Sequence, residues 1–212
     1  MALSKSEVWG LVHAERQRLL SDLDALPAAR WETPSLCPNW TVHDVLAHLI
    51  DTAKMGRLAF VWSMVRAGGN FDRANEQGVR RCKRGDPEQT LADFRRASGL
   101  RRTPPANLAT RLVEAIVHGE DIRRPLAIVG DYPTAAVHEA LAYQLRTPDS
   151  FGGGRERAAG RRLVDSDTGK SWGDGLEVRG KAVDLLLAAS GRKIAPELLD
   201  GPGASLTDRR FG

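Results

Sequence analysis

Cysteine is scarce in this sequence. Cys37 and Cys82 are the only two in 212 residues, they stand far apart, and neither belongs to a CxxC pair. That argues against a disulfide framework; reduced, unlinked thiols in a cytoplasmic protein are expected. Long hydrophobic runs are missing as well. The longest apolar passages, Leu58 to Val65 and Ala182 to Ala189, fall well short of the roughly 18 residues a membrane helix needs, so no membrane partner is expected. The opening Met-Ala-Leu-Ser-Lys-Ser-Glu-Val-Trp has no basic stretch followed by an apolar block, and no signal peptide is read. No internal repeat or low-complexity tract is visible. What remains is ordinary for a globular protein: 42% apolar and 27% charged residues, enough to bury a core in one domain or in one domain with a small appendage.

The net charge of +4 comes largely from two arginine-rich stretches, Arg80 to Arg102 and Arg155 to Arg162. A basic surface can meet phosphates. Here no RNP-like strand, helix-turn-helix signature or zinc-finger spacing accompanies the charge. The stretches read as solvated helix faces or as a patch that attracts a small anion, and no nucleic-acid partner is expected.

Start and stop signals divide the chain into helices. Ser4 or Ser6 caps a first helix to about Leu26, ended by Pro27. Thr41 and Asp44 form a capping box for a second helix, expected to run to about Ala67 and to stop at Gly68-Gly69. Residues 70 to 85 show no clear period and read as a loop. Asp86-Pro87-Glu88-Gln89 starts a third helix to about Ser98, Asn107 announces a fourth to Arg123, and Thr134 caps a fifth to about Leu145. After Arg146 breakers abound. Arg161 to Asp165, Ser171-Trp172 and Leu176 to Val178 read as strands, and residues 180 to 190 as a compact helix closed by Gly191. The expected organisation is a mainly α fold with a boundary near 150: a helical bundle over 1–150 and a small α+β module over 151–212.

The helices carry three residues that suit a metal ion. Glu114 and His118 are four apart, so they share one helix face, and apolar residues flank both. A buried carboxylate without a partner is costly, and a cation removes that penalty. His48, set in Val45-Leu46-Ala47-His48-Leu49-Ile50, is the candidate third ligand from a second helix. Two imidazoles and one carboxylate make a zinc arrangement with an open fourth position, and the set also suits iron or nickel. The bland alternatives are a hydrogen-bonded core histidine and a Glu/His pair of ordinary helix spacing. Asp44 and Asp121 fall within a turn of the two histidines, either orienting the imidazoles or lying as exposed charges. His13 and His138 read as surface or packing histidines, and Cys37 as a packing residue.

Three separated stations then resemble one family. Cys37-Pro38-Asn39-Trp40-Thr41-Val42-His43-Asp44-Val45-Leu46-Ala47-His48-Leu49 resembles the CPxWTVxDxxAHL signature of mycothiol-dependent maleylpyruvate isomerase-like proteins, within the DinB group of up-down four-helix bundles. Glu114 to Pro125 is similar to that family's second metal-binding helix, and Ser171-Trp172-Gly173-Asp174-Gly175-Leu176-Glu177-Val178-Arg179-Gly180 to the SWGxGxEVRGPA stretch of its small second domain. The resemblance implies a zinc-type ion at His48, Glu114 and His118, with the low-molecular-weight thiol mycothiol as cofactor or co-substrate. A cation lowers a thiol's pKa, and the thiolate then attacks an electrophile, by S-transfer or by addition, rotation and elimination. Arg179, in the third station, is the candidate contact for a cofactor or substrate carboxylate, set against a surface role. Pairing into a homodimer, as DinB-like bundles do, is also implied. Residues 70 to 106 match the family little and the end, 206–212, is short where a closing helix is expected, so the substrate stays open. A metal-binding protein of this fold without turnover is the alternative.

Overall fold

The computed structural model describes residues 3–204; the expectation about the end of the chain, 206–212, lies outside the described residues. The described residues divide into two compact units, 3–131 and 132–204. Among the described residues there are eight α-helices and a four-stranded sheet. No described helix is long and apolar enough to cross a membrane.

The first unit begins with α1 (Lys5–Leu23), where Ser4 and Glu7 form a reciprocal capping box and Val8, Val12, Leu19 and Leu23 face inward. In α2 (Val42–Lys54) the Thr41/Asp44 capping box is present as expected. This helix is central: it packs on α4 (Phe71–Cys82), α5 (Pro87–Ala97) and α6 (Thr110–Arg123), while α1 packs on α5 and α6. Leu19, Leu23, Trp31, Val42, Leu46, Leu49, Ile50, Phe94 and Ile122 form the shared apolar core.

Two expectations are corrected here. The helix expected from 41 to 67 is broken: Met55 leaves helical geometry, and Gly56, extended at φ −96°, caps a separate α3 (Arg57–Arg66). No residue of α3 is buried, and Leu58, Val61, Trp62 and Val65 are exposed along one of its faces. The loop expected over 70–85 is instead α4, capped by the Asn70 side chain on the Arg73 N–H at 2.8 Å. Its inward face is Ala74, Gly78, Val79 and Cys82, mostly small residues that give little apolar signal yet let α4 approach α2 closely.

The second unit contains α7 (Thr134–Gln144), β1 (Arg161–Asp165), β2 (Ser171–Trp172), β3 (Leu176–Gly180), α8 (Ala182–Ala189) and β4 (Leu199–Asp200). This compact unit begins at Tyr132, and α7 packs on α8 within it. The sheet order is β2-β1-β3-β4; β1 and β3 are parallel, with Leu163 opposite Val178, and the two outer pairs are antiparallel. Gly173 at φ +73° and Gly175 at φ +120° carry the chain from β2 back across to β3, and a Cβ on Gly175 would overlap the Gly160 backbone. The Trp-Gly-Asp-Gly stretch is thus a structural requirement of this crossing. His138 is buried, its Nε2 2.8 Å from Asp165 Oδ2 and its ring edge-on to Trp172. Arg179 is exposed on β3 and ion-paired with Glu177 at 2.8 Å.

Candidate metal centre

The geometry starts in the turn before α2. Trp40 N–H donates to the Cys37 carbonyl at 3.2 Å, with Pro38 and Asn39 between them and Asn39 at φ +65°. Proline followed by a left-handed asparagine is the residue pattern of a type II turn. The Ser35 hydroxyl accepts from Cys37 N–H at 3.0 Å and donates to the Trp40 carbonyl at 2.8 Å, which fixes the turn. Leu36 N–H donates to the Asp121 carbonyl at 3.3 Å, so the turn is tied to α6.

His48 follows from the start of α2: two turns past the Thr41 cap, it points into the unit and is 5% exposed. Trp40 lies against it at 5.0 Å between ring centroids, and the indole N–H donates to Glu76 Oε1 at 2.7 Å. His118, on α6, meets His48 edge-to-face at 4.7 Å between centroids. Two imidazoles from separate helices therefore converge. Asp121 is fully buried, one turn on, with Oδ2 2.8 Å from His118 Nδ1. A carboxylate in that place holds the His118 ring through Nδ1 and leaves Nε2 on the side away from Asp121. Asp44 takes no such part; its carboxylate serves the Thr41 cap and Lys83.

Glu114 lies one turn before His118, 8% exposed. Its Oε1 accepts the Thr52 hydroxyl at 2.6 Å and its Oε2 pairs with Arg111 at 2.7 Å. The full trio of His48, Glu114 and His118 is not gathered as tightly as a second set. Cys37 Sγ, a His118 nitrogen and an Asp121 oxygen all lie within 4.8 Å of one another, the one such group of three or more among the described residues. Sequence reasoning places Cys37 in packing. The signal that points to it instead is its position in the turn immediately before the helix that bears His48.

Residues 12–105 match the family model described as Mycothiol maleylpyruvate isomerase N-terminal domain. Over that span the helical unit is similar to that domain family. The matched span contains Cys37, Trp40 and His48 and ends before Glu114, His118 and Asp121. Two solved structures share the fold. The crystal structure of the mycothiol-dependent maleylpyruvate isomerase is 17% identical, with a TM-score of 0.67 over 95% of this chain and 94% of that one. Its histidine-to-alanine mutant gives 16% identity with the same TM-score and coverage. At that identity the likeness establishes architecture: mainly α, a DinB-like bundle with a small α+β module, in agreement with the fold class expected from the sequence. No curated protein gives a significant sequence match.

Proposed function

We propose that the chain is a mycothiol-dependent enzyme that isomerises a small cis-configured electrophile, or transfers the thiol to one, with a divalent cation held by His48, Glu114 and His118. The observation that carries this reading is the meeting of His48 and His118 from two helices at 4.7 Å, with Asp121 on the far nitrogen of His118; the similarity of residues 12–105 to the mycothiol maleylpyruvate isomerase N-terminal domain supports it. The donors suit zinc first, and nickel or iron by the same chemistry. Bound there, such an ion stabilises a thiolate near neutral pH.

The remaining roles belong to the chain. Asp121 fixes the tautomer and direction of His118. Arg111 and Thr52 hold and aim the Glu114 carboxylate. Trp40 covers one side of His48 and limits water there. Arg179 is the candidate contact for an anionic group of thiol or substrate. We place the protein in the cytoplasm, acting on small molecules with no nucleic-acid or membrane partner, and expect a homodimer.

The test is turnover of cis-configured unsaturated ketoacids with mycothiol, in wild type and His48→Ala, with circular dichroism as the folding check. Loss of at least a hundredfold in kcat/KM, about 2.7 kcal/mol, with folding retained is the expected result. Unchanged turnover in His48→Ala, or none in wild type, removes the reading. A second reading, a protein whose ion is structural and which does not turn over, places that ion at Cys37, His118 and Asp121, whose donor atoms lie within 4.8 Å of one another.

A further inference from the structure

The charges behind Glu114 do not balance. Arg16 of α1 and Arg111 of α6 are 3% and 4% exposed, and Glu114 is the carboxylate they share. Arg111 Nη2 is 2.7 Å from Glu114 Oε2 and Arg16 Nη2 is 3.9 Å from Oε1. The other contacts of these guanidiniums are to neutral carbonyls: Arg16 Nη1 to Ser98 and Leu100, at 3.2 and 3.1 Å, and Arg111 Nη1 to Thr52 at 3.0 Å. Two guanidiniums against one carboxylate leave one buried positive charge without compensation. Burial is tolerated for ions that are paired and fully hydrogen-bonded, and it is expensive otherwise.

The hydrogen bonds fall short at the same place. Arg16 Nη2 and Arg111 Nε are buried without a hydrogen-bond partner. So are His13 Nε2, one turn before Arg16, and Thr103 Oγ1, in the connection whose Ser98 and Leu100 carbonyls Arg16 grips. Nearly all buried polar atoms in folded proteins are satisfied, so an orphan on each of the two guanidiniums that share Glu114 calls for an acceptor. Burial pushes the His13 imidazole below its usual value despite its bond with Leu100, so it adds no further charge.

We propose that Arg16 and Arg111 form an anion site inside the helical unit, which takes a small planar oxoanion of the carboxylate type across Arg16 Nη2 and Arg111 Nε. Bidentate pairing is what the planar guanidinium fork favours. The site does not depend on an ion at the histidines. Should Glu114 also ligate a cation, the surplus positive charge grows and the demand for an anion grows with it.

The experiment follows the side-chain Nε–H resonances of Arg16 and Arg111 by nitrogen-edited NMR during titration of the full chain with sodium formate. Saturable shifts are expected, larger than those from sodium chloride at equal ionic strength. Glu114→Gln removes the competing carboxylate and tightens formate binding at least threefold. Arg111→Met abolishes it; should that variant not fold, wild type and Glu114→Gln carry the test. No saturable shift up to about 100 mM formate, which limits affinity to a trivial value, overturns the site and assigns the orphans to ordered water. Formate binding that is unchanged or weaker in Glu114→Gln also overturns it. Inorganic phosphate binding as tightly as formate overturns the planar-oxoanion assignment.

Discussion

His43 shows how much a single residue's setting decides. It lies in the same signature as His48, but five residues of helix turn it to another face, which makes it a poor partner for that histidine. In the fold it is buried, with Nε2 2.8 Å from the Thr90 hydroxyl, and it joins α2 to α5. Burial holds its imidazole below the usual value; the Lys83 charge adds to this, and Glu32, Asp44 and Asp86 oppose it. The unfolded chain therefore takes up a proton near pH 6.5, where the folded protein resists it. The neutral form favours folding above that pH, and its contribution is lost as pH falls through the lower folded value. Denaturant midpoints should drop between about pH 7 and pH 5, and His43→Gln should flatten that drop. A slope equal to wild type would show that His43 does not carry it. His48 and His118 are legible in the sequence because an imidazole in an apolar run is anomalous. Cys37 is not, because a small thiol beside a helix start looks like any packing residue. The grip of Arg111 and Thr52 on Glu114 is hidden too, since nothing in the spacing says which cations a folded chain will bring to a carboxylate.

At the level of elements, caps are easily read and packing faces unevenly so. Ser4 with Glu7, Thr41 with Asp44 and Asp86 with Pro87 each act through atoms close in sequence, so their outcome is visible there. α4 escapes a sequence reading because its buried face is made of small residues, whose role appears only when α2 is laid against it. Gly78 is the point of closest approach: a Cβ there would come within 2.7 Å of Asp51 Cγ, and Asp51 is itself held by Arg81 at 2.5 Å. Alanine gains up to about 1 kcal/mol over glycine in a helix interior. Overpacking a close contact costs about 1–3 kcal/mol, and moving Asp51 strains its ion pair as well. Gly78→Ala should therefore destabilise the unit by about 1–2 kcal/mol, read as a lower urea midpoint with unchanged slope. A stabilised variant would mean that α4 does not sit this close to α2. The same dependence on neighbours explains β4, two residues long, which exists only because β3 offers its edge.

For the whole molecule, the class of fold is legible because helical caps cluster before residue 146 and strands after it, whereas the place of division depends on which partner α7 chooses. The metal reading belongs to this scale, because a cation joining α2 to α6 binds the folded chain and not the unfolded one. An ion at a hundredfold excess over its Kd then adds about 2.7 kcal/mol to stability. For a chain of this size that corresponds to a rise of about 5–10 °C in the melting temperature. Zinc added to chelator-treated protein should give such a rise, followed through tryptophan fluorescence, and His118→Ala should give none. Two further variants separate the ligand sets. Loss of the rise in Glu114→Gln with its retention in Cys37→Ser identifies the His48, Glu114 and His118 set; the reverse identifies Cys37, His118 and Asp121. A melting temperature indifferent to zinc, nickel and iron in the wild type would leave the two histidines as a packed pair, and with them would go the thiol chemistry that a cation there is needed to support.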